Sequence, residues 1–365
     1  MRILVVGDWH SELHEEAVFR ALIDLGHEVS SFKWFSFFAP RPGIIGHIYH
    51  KLQRIQDKFV VGPLIGAINR KLLDRIREVT PESIFIYRGT HITSRTLRGI
   101  RKLVPGCVLV GYNNDDPFSP QQPKYLWRHF LHAVPEYDLI FAYRHHNIAE
   151  YRNAGARRVE LLRSWFVPWR NRSINLSDTD ASQFACDVVF VGHFEADQRL
   201  EFLEEVVRQG FSLRLFGPEK YWEAPLANSD VLCHLHPVRM VLGDEYNKAL
   251  CGAKIALCFL SKLNRDSYTR RCFEIPATKT LMLSEWTEDL ASLFSADEEV
   301  VFFSSKEEMI RKIRTLLKDE AKRRRIAEAG YRRVTRDGHD VVSRMETLLE
   351  RVGEIRNEEG RDGNI

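Results

Sequence analysis

Residues 267–286, SYTRRCFEIPATKTLMLSEW, set two arginines and a glutamate directly before an apolar run that has to be buried. A helix beginning near Thr269 or Arg270 would aim its first amide groups at one point, with the Arg270 and Arg271 guanidiniums beside them. Guanidinium forks and unbonded amides both favour a doubly charged phosphate group, so this pattern suits a diphosphate. Glu274 falls about one turn into that helix, where a carboxylate can accept two hydrogen bonds from a ribose diol. The competing reading is a solvated arginine–glutamate face, with Glu274 only complementing the helix dipole.

Other candidates follow apolar runs in the same way. CDVVFVGHF ends in Gly192 and His193, SLRLFGP ends in Gly217, and Arg199 lies in the helix expected between those two runs. A glycine at a strand end lets a ligand approach the backbone, although tight turns also account for such glycines. Earlier in the chain three positions compete as a proton acceptor: Asp8 with His10 after RILVVG, His91 after IFIYRGT, and Asp115 with Asp116 after VLVGYNN. A base needs a pKa near working pH, which histidine or a shifted carboxylate can provide, and adjacent carboxylates raise one another's pKa. Against these stand a turn or helix cap for NNDDP and a structural role for His10. Of two stretches that could hold a divalent metal, Asp178–Asp180 (DTD) lies in a polar stretch away from any strand end and reads as a solvated loop, and Asn114–Asp116 (NDD) is better placed.

The elements that must position these residues are legible as alternation. RILVVG, HEVSSF, SIFIYRG, CVLVGYNND and DLIFAY read as strands, with helical patterns around 66–78, 93–103, 122–133 and 145–154. A polar stretch without periodicity follows, and then a second alternating series begins at CDVVFVGHF. The expected organisation is a first α/β domain over 1–170, a linker over 171–184 and a second α/β domain over 185–336. A C-terminal helix over 337–355 and a tail over 356–365 complete it. Ligands of open α/β sheets bind beyond the carboxyl ends of the strands, so two such domains place the expected site in a cleft between them.

Composition narrows the classes. A length of 365 residues exceeds one ordinary core, and a formal net charge of +3 is too small to argue for nucleic acid. The six cysteines show no metal-ligand spacing, so they read as reduced thiols of a cytoplasmic protein. No run approaches the roughly 20 apolar residues of a spanning helix. Residues 32–54 are unusually aromatic, with Phe32, Trp34, Phe35, Phe37 and Phe38 near Lys33, Arg41, Lys51 and Arg54. That mixture suits peripheral contact at the inner face of a membrane, or a loop packed on its own domain.

TRRCFEIPATKTLML, LFSADEEVVFF and IRKIRTLLKDEAKRRRIAEAGYRRV together resemble the C-terminal domain of CgeB-like glycosyltransferases, over roughly Asp187 to Leu349; YNNDDPF resembles a segment of their first domain. The resemblance implies the GT-B fold: two Rossmann-like, doubly wound domains facing a cleft, with a C-terminal helix crossing back to the first. It also implies that Arg271, Phe273, Glu274, Ile275, Pro276 and Ala277 contact a nucleotide-diphosphate sugar. The implied acceptor is a hydroxyl of a glycan, glycolipid or other molecule in polysaccharide or cell-envelope synthesis. Neither a metal nor a cofactor is implied, since the sugar nucleotide is a co-substrate. Retaining members often carry two acidic residues at the interval that Asp266 and Glu274 fit, which favours retention. Where the family continues with a small residue and glycine, this chain has Thr278 and Lys279. The alternatives are a nucleotide-sugar epimerase on the same fold and a non-catalytic sugar-nucleotide or glycan-binding protein.

Overall fold

The computed structural model describes residues 1–40 and 42–362, which form two compact units. Unit 1 comprises Met1–Ser164 with Val341–Ile365, and unit 2 comprises Trp165–Asp340.

In unit 1 the chain runs β1 (Arg2–Gly7), α1 (Glu15–Asp24), β2 (Glu28–Lys33), a 3-10 turn (Trp34–Phe38), α2 (Gly43–Phe59), α3 (Pro63–Val79) and β3 (Ser83–Tyr87). It continues with α4 (Ser94–Leu103), β4 (Val108–Asn113), α5 (Lys124–Ala133), β5 (Leu139–Ala142), α6 (His145–Asn153) and β6 (Val159–Leu161). All six strands are parallel, in the order β2-β1-β3-β4-β5-β6. Helices cover both faces of a parallel sheet, and β3 and β4 are accordingly buried at every residue.

Unit 2 contains α7 (Asp178–Phe184), β7 (Cys186–Val191), α8 (Arg199–Arg208), β8 (Leu213–Phe216), α9 (Glu219–Ala227), α10 (Asp244–Cys251) and β9 (Ala253–Cys258). After these come α11 (Arg271–Ala277), β10 (Leu281–Glu285), α12 (Glu288–Leu293), β11 (Val301–Phe303), α13 (Lys306–Lys318) and α14 (Glu320–Arg336). Its five strands are parallel in the order β11-β10-β9-β7-β8. Both sheets share one topology: the first strand of each lies between its second and third. The order therefore reverses between β1 and β3 in unit 1 and between β7 and β9 in unit 2, the points where doubly wound sheets open a crevice.

The last helix, α15 (Val341–Asp362), belongs to unit 1. Val341, Met345, Leu348, Val352 and Ile355 are buried, spaced so that they fall on one face of the helix. Arg351 pairs with Glu160 at 2.9 Å and Arg356 with Glu82 at 2.8 Å, fixing that face on unit 1. Residues 178–184, part of the expected linker, fold as α7 because Ser177 and Asp180 form a reciprocal capping box. The DTD residues thus start a helix, and Asp180 also pairs with Lys248 at 2.8 Å. Among the cysteines, Cys233 is exposed, Cys251 half-buried and the rest buried.

Candidate functional site

In unit 2 the carboxyl ends of β7 and β9 are joined by Arg199. Its Nε and Nη2 donate to the two oxygens of Asp197, each at 2.8 Å, and Nη1 donates to the His193 carbonyl at 2.7 Å. Nη2 also reaches the Leu260 carbonyl at 3.4 Å. Those bonds engage the fork within the protein, so Arg199 shapes the crevice from behind instead of gripping a ligand. The two strand-end glycines have a similar cause. A Cβ on Gly217 would lie 2.2 Å from the Gly192 carbonyl oxygen, which accepts the Trp222 indole N–H at 2.9 Å. Close packing of two turns demands a glycine at Gly217, without reference to a ligand.

The segment 267–277 differs in detail from its expected form. Arg270 already has helical backbone angles, and the carbonyls of Thr269 and Arg270 accept from Cys272, Phe273 and Glu274. Those three amides are therefore spent inside the turn, and the seven-residue α11 offers no row of unbonded N–H groups. Phe273, Ile275 and Pro276 are buried, with the Phe273 ring stacked 4.8 Å from His339, so their side chains build the core of unit 2. What remains for a ligand is the half-buried guanidinium of Arg271, whose Nε has no hydrogen-bond partner, and Glu274.

Glu274 is only 4% exposed. One carboxylate oxygen, Oε2, accepts the Tyr246 hydroxyl at 2.8 Å; the other, Oε1, is buried without a partner. Burial, and then the Glu274 charge, push the Tyr246 hydroxyl well above its ordinary range, so it stays a donor. Burial and the Arg271 charge together hold the His193 imidazole below its usual pKa, and its ring meets Tyr221 edge-on at 5.4 Å. The His193 imidazole, the Arg271 guanidinium and the Glu274 carboxyl thus lie near one another beyond the strands of this sheet. Asp266 lies half-buried in the loop after β9, and Arg270 half-buried at the cap of α11. Tyr246, on α10, follows no strand, and no pattern in the sequence marks it.

In unit 1 the reversal between β1 and β3 gathers Asp8, His10, Glu15 and Arg88. Asp8 Oδ1 shares a 2.5 Å hydrogen bond with His10 Nδ1, which raises the imidazole pKa. Burial pushes Asp8 upward, but the His10 bond and the His10 and Arg88 charges outweigh it and leave its pKa lowered. Arg88 pairs with Asp115 at 2.8 Å and lies 3.7 Å from Asp8. Trp9 and Arg88 both hold left-handed backbone angles (φ of 62° each), strain of the sort that clusters at functional sites. Glu15 starts α1, packed so closely over Gly7 that a Cβ there would meet Oε1 at 2.1 Å. Burial, followed by the Asp8 charge, pushes Glu15 up to about 7.

The remaining first-domain candidates have other duties. His91 is buried, stacked 5.5 Å from Trp34 and 3.1 Å from Asp57, which makes it part of the core and not a presented base. Asp116 is also fully buried: Oδ1 accepts from Phe118 N–H at 3.1 Å and Asn147 at 3.0 Å, and Oδ2 lies 3.3 Å from His146 Nε2. Asp116, His146 and Glu150 are the one group among the described residues composed to hold a metal ion, with ligand atoms within 4.8 Å of one another. Both Asp116 oxygens are already engaged with protein groups, so the cluster reads equally as a hydrogen-bond network. Within the aromatic stretch Phe32, Trp34 and Phe38 are core residues while Phe35 is exposed, so most of those rings pack on unit 1; Arg41 lies outside the described residues. No helix among the described residues is long and apolar enough to cross a membrane.

Residues 198–350 match a family described as glycosyl transferase-like. No curated protein matches the chain by sequence. Among solved structures, Anabaena HepE in complex with UDP and glucose superposes with a TM-score of 0.66 at 12% identity, covering 97% of this chain and 100% of that one. Sucrose-phosphate synthase from Thermosynechococcus elongatus gives 0.67 at 12% identity over 97% and 99%. The α,α-trehalose 6-phosphate synthase of Burkholderia multivorans gives 0.65 at 9% identity over 98% and 99%. The two parallel sheets therefore have the GT-B fold, unit 2 carries most of a glycosyl transferase-like domain, and the enzyme class of the chain is that of a glycosyltransferase.

Proposed function

We propose that this chain, a glycosyltransferase of the CgeB-like kind, moves a sugar from a nucleotide-diphosphate donor to a hydroxyl of a glycan or lipid-carried acceptor. The observation that carries the reading is the buried, unpartnered Oε1 of Glu274 beside the half-buried Arg271. A buried carboxylate oxygen without a donor costs free energy, and a ribose diol would supply the missing hydrogen. Arg271 would take the diphosphate, and its fixed charge would stabilise the leaving group without a metal. That HepE binds UDP and UDP-glucose on the same fold supports a donor of this class.

The reaction breaks the bond from the anomeric carbon to the diphosphate oxygen and forms one to the acceptor oxygen. In the retaining course favoured by Asp266 with Glu274, the acceptor proton passes to the leaving diphosphate. Within unit 1, the Asp8–His10 pair is the group suited to hold an acceptor hydroxyl. We place the reaction on the cytoplasmic side, with peripheral contact at the inner face of the plasma membrane, in polysaccharide or envelope glycan synthesis.

A thermal-shift series with UDP, GDP, CDP and dTDP sugars tests the donor class, since a bound donor raises the melting temperature by mass action. Slow release of nucleoside diphosphate from the responding sugar nucleotide is the expected result. Interconversion of free sugar nucleotides would instead make the protein an epimerase, and binding without turnover a carrier.

A further inference from the structure

Helix α2 is turned inside out. Its polar residues face unit 1: buried Gln53 donates to the Phe37 carbonyl at 2.8 Å, Gln56 accepts from Leu64 N–H at 3.0 Å, and Asp57 lies 3.1 Å from His91. Four of its described apolar residues face outward, with Ile48 at 58% exposure, Leu52 at 54%, Ile55 at 52% and Phe59 at 39%. At about 100° per residue those four fall within about 60° of one another, a continuous stripe. Lys51, Arg54 and Lys58, all exposed, occupy the adjoining sector of about 60° on one flank. The stripe runs on through Phe59 to Tyr125, whose rings are 5.1 Å apart, and Tyr125 is itself exposed. Scattered apolar residues on a surface need no explanation, but a helix that buries a glutamine and exposes its aliphatic face does.

We propose that this face of α2 is the seat of the protein on an anionic lipid bilayer. Four large apolar side chains would enter the boundary between headgroups and acyl chains, and the lysine–arginine flank would lie along anionic headgroups. The charge selects this partner. The three cations beside the stripe face outward, whereas the acid of the same stretch, Asp57, lies on the opposite side of the helix and is half-exposed beside His91. The proposal rests on the membrane contact read from residues 32–54, and it moves that contact from the aromatic turn, whose Trp34 and Phe38 are core, to α2. His91 stands just beyond the carboxyl end of β3, so a bilayer under α2 would lie on the same side of unit 1 as the Asp8–His10 pair, as a lipid-carried acceptor requires.

The test is co-sedimentation of the full chain with vesicles of phosphatidylcholine alone and of phosphatidylcholine with phosphatidylglycerol. Wild type is expected to pellet with the anionic vesicles. Leu52→Ser/Ile55→Ser and Lys51→Glu/Arg54→Glu/Lys58→Glu are expected to lower the bound fraction roughly tenfold, with melting temperatures and nucleoside-diphosphate binding unchanged. Wild type that stays in solution with both vesicles, or variants that pellet as well as wild type, would overturn the proposal. So would a dimer in light scattering that Leu52→Ser/Ile55→Ser dissociates, since a second copy would then cover the stripe. Donor binding is read in the same samples, so loss of vesicle binding alone bears on the surface and loss of donor binding alone on the proposed reaction.

Discussion

Tyr246 donates its hydroxyl to one oxygen of Glu274 at 2.8 Å and leaves the other oxygen buried and unpaired. The tyrosine fixes the carboxylate plane, so Oε1 keeps one direction in the absence of a ligand. Removing the carboxylate or the nearby guanidinium should cost a charge-assisted hydrogen bond each. Glu274→Ala and Arg271→Ala are expected to weaken nucleoside-diphosphate binding by about 1–3 kcal/mol, and Tyr246→Phe by about 1 kcal/mol. Calorimetric titration measures this, and wild-type affinity in both Glu274→Ala and Arg271→Ala would remove the donor assignment.

Glu15 ties stability to pH. Its carboxyl is raised to about 7 in the folded protein from an ordinary 4.5, so the folded state holds a proton that the unfolded state has released. The stabilising effect is fully present below about pH 4.5 and is lost as pH rises through about 7, at a total of about 3 kcal/mol. Glu15→Gln cannot ionise. Its stability relative to wild type should rise by about 1–3 kcal/mol between pH 5 and pH 8 in paired urea titrations. A difference that stays flat with pH would mean that Glu15 is ionised in the fold.

The Asp8–His10 pair separates two chemical courses. Asp8→Asn removes the bond and the charge that raise the His10 imidazole, so its NMR titration midpoint should move down. With retention, His10 orients the acceptor only: His10→Ala should raise the acceptor KM and cost at most about tenfold in kcat. A fall of about 100-fold or more would make His10 the general base and the reaction inverting.

The two alternating series, the strand ends and the helix at 271–277 are legible in the sequence because each rests on local periodicity or on charge before an apolar run. What escapes is set by tertiary packing. Tyr246 reaches Glu274 from a helix that precedes β9, and nothing in the order of residues pairs them. His91 follows a strand just as His10 does, yet it lies against Trp34 because α2 and the 3-10 turn close over it. The outward stripe of α2 has the period of a core-facing helix, so periodicity alone assigns it to the interior. The exposure of Ile48, Leu52 and Ile55, with the burial of Gln53, reverses that reading.

Gly217 tests whether the β7–β8 end of unit 2 is shaped by packing. A methyl group on Gly217 would lie 2.2 Å from the Gly192 carbonyl oxygen and 2.8 Å from the Trp222 indole nitrogen. Backbone cannot yield as a flexible side chain can, so Gly217→Ala should cost about 1–3 kcal/mol of stability. Thermal unfolding checks it. A neutral substitution would mean that packing does not demand the glycine.

Lys279 stands where the resemblance leads one to expect glycine, and its backbone shows how the chain manages. Its φ is 60°, the left-handed conformation that glycine adopts freely, so the turn after α11 keeps its shape with the wrong residue in it. An L-residue there costs about 1–2 kcal/mol. Lys279 offsets part of this by pairing with Glu328 at 3.1 Å and by placing its ammonium 4.5 Å over the Tyr331 ring. The ion pair is half exposed and contributes up to about 1 kcal/mol, and the ring contact about 0.5–1 kcal/mol. These amounts nearly cancel, so Lys279→Gly should leave stability within about 1 kcal/mol of wild type and donor affinity unaltered. Lys279→Val loses both contacts and forces a β-branched residue into the same angles, so it should cost about 2–3 kcal/mol. Should valine prove as stable as glycine, the turn adopts another conformation in solution, and the end of α11 that follows Glu274 would have to be redrawn.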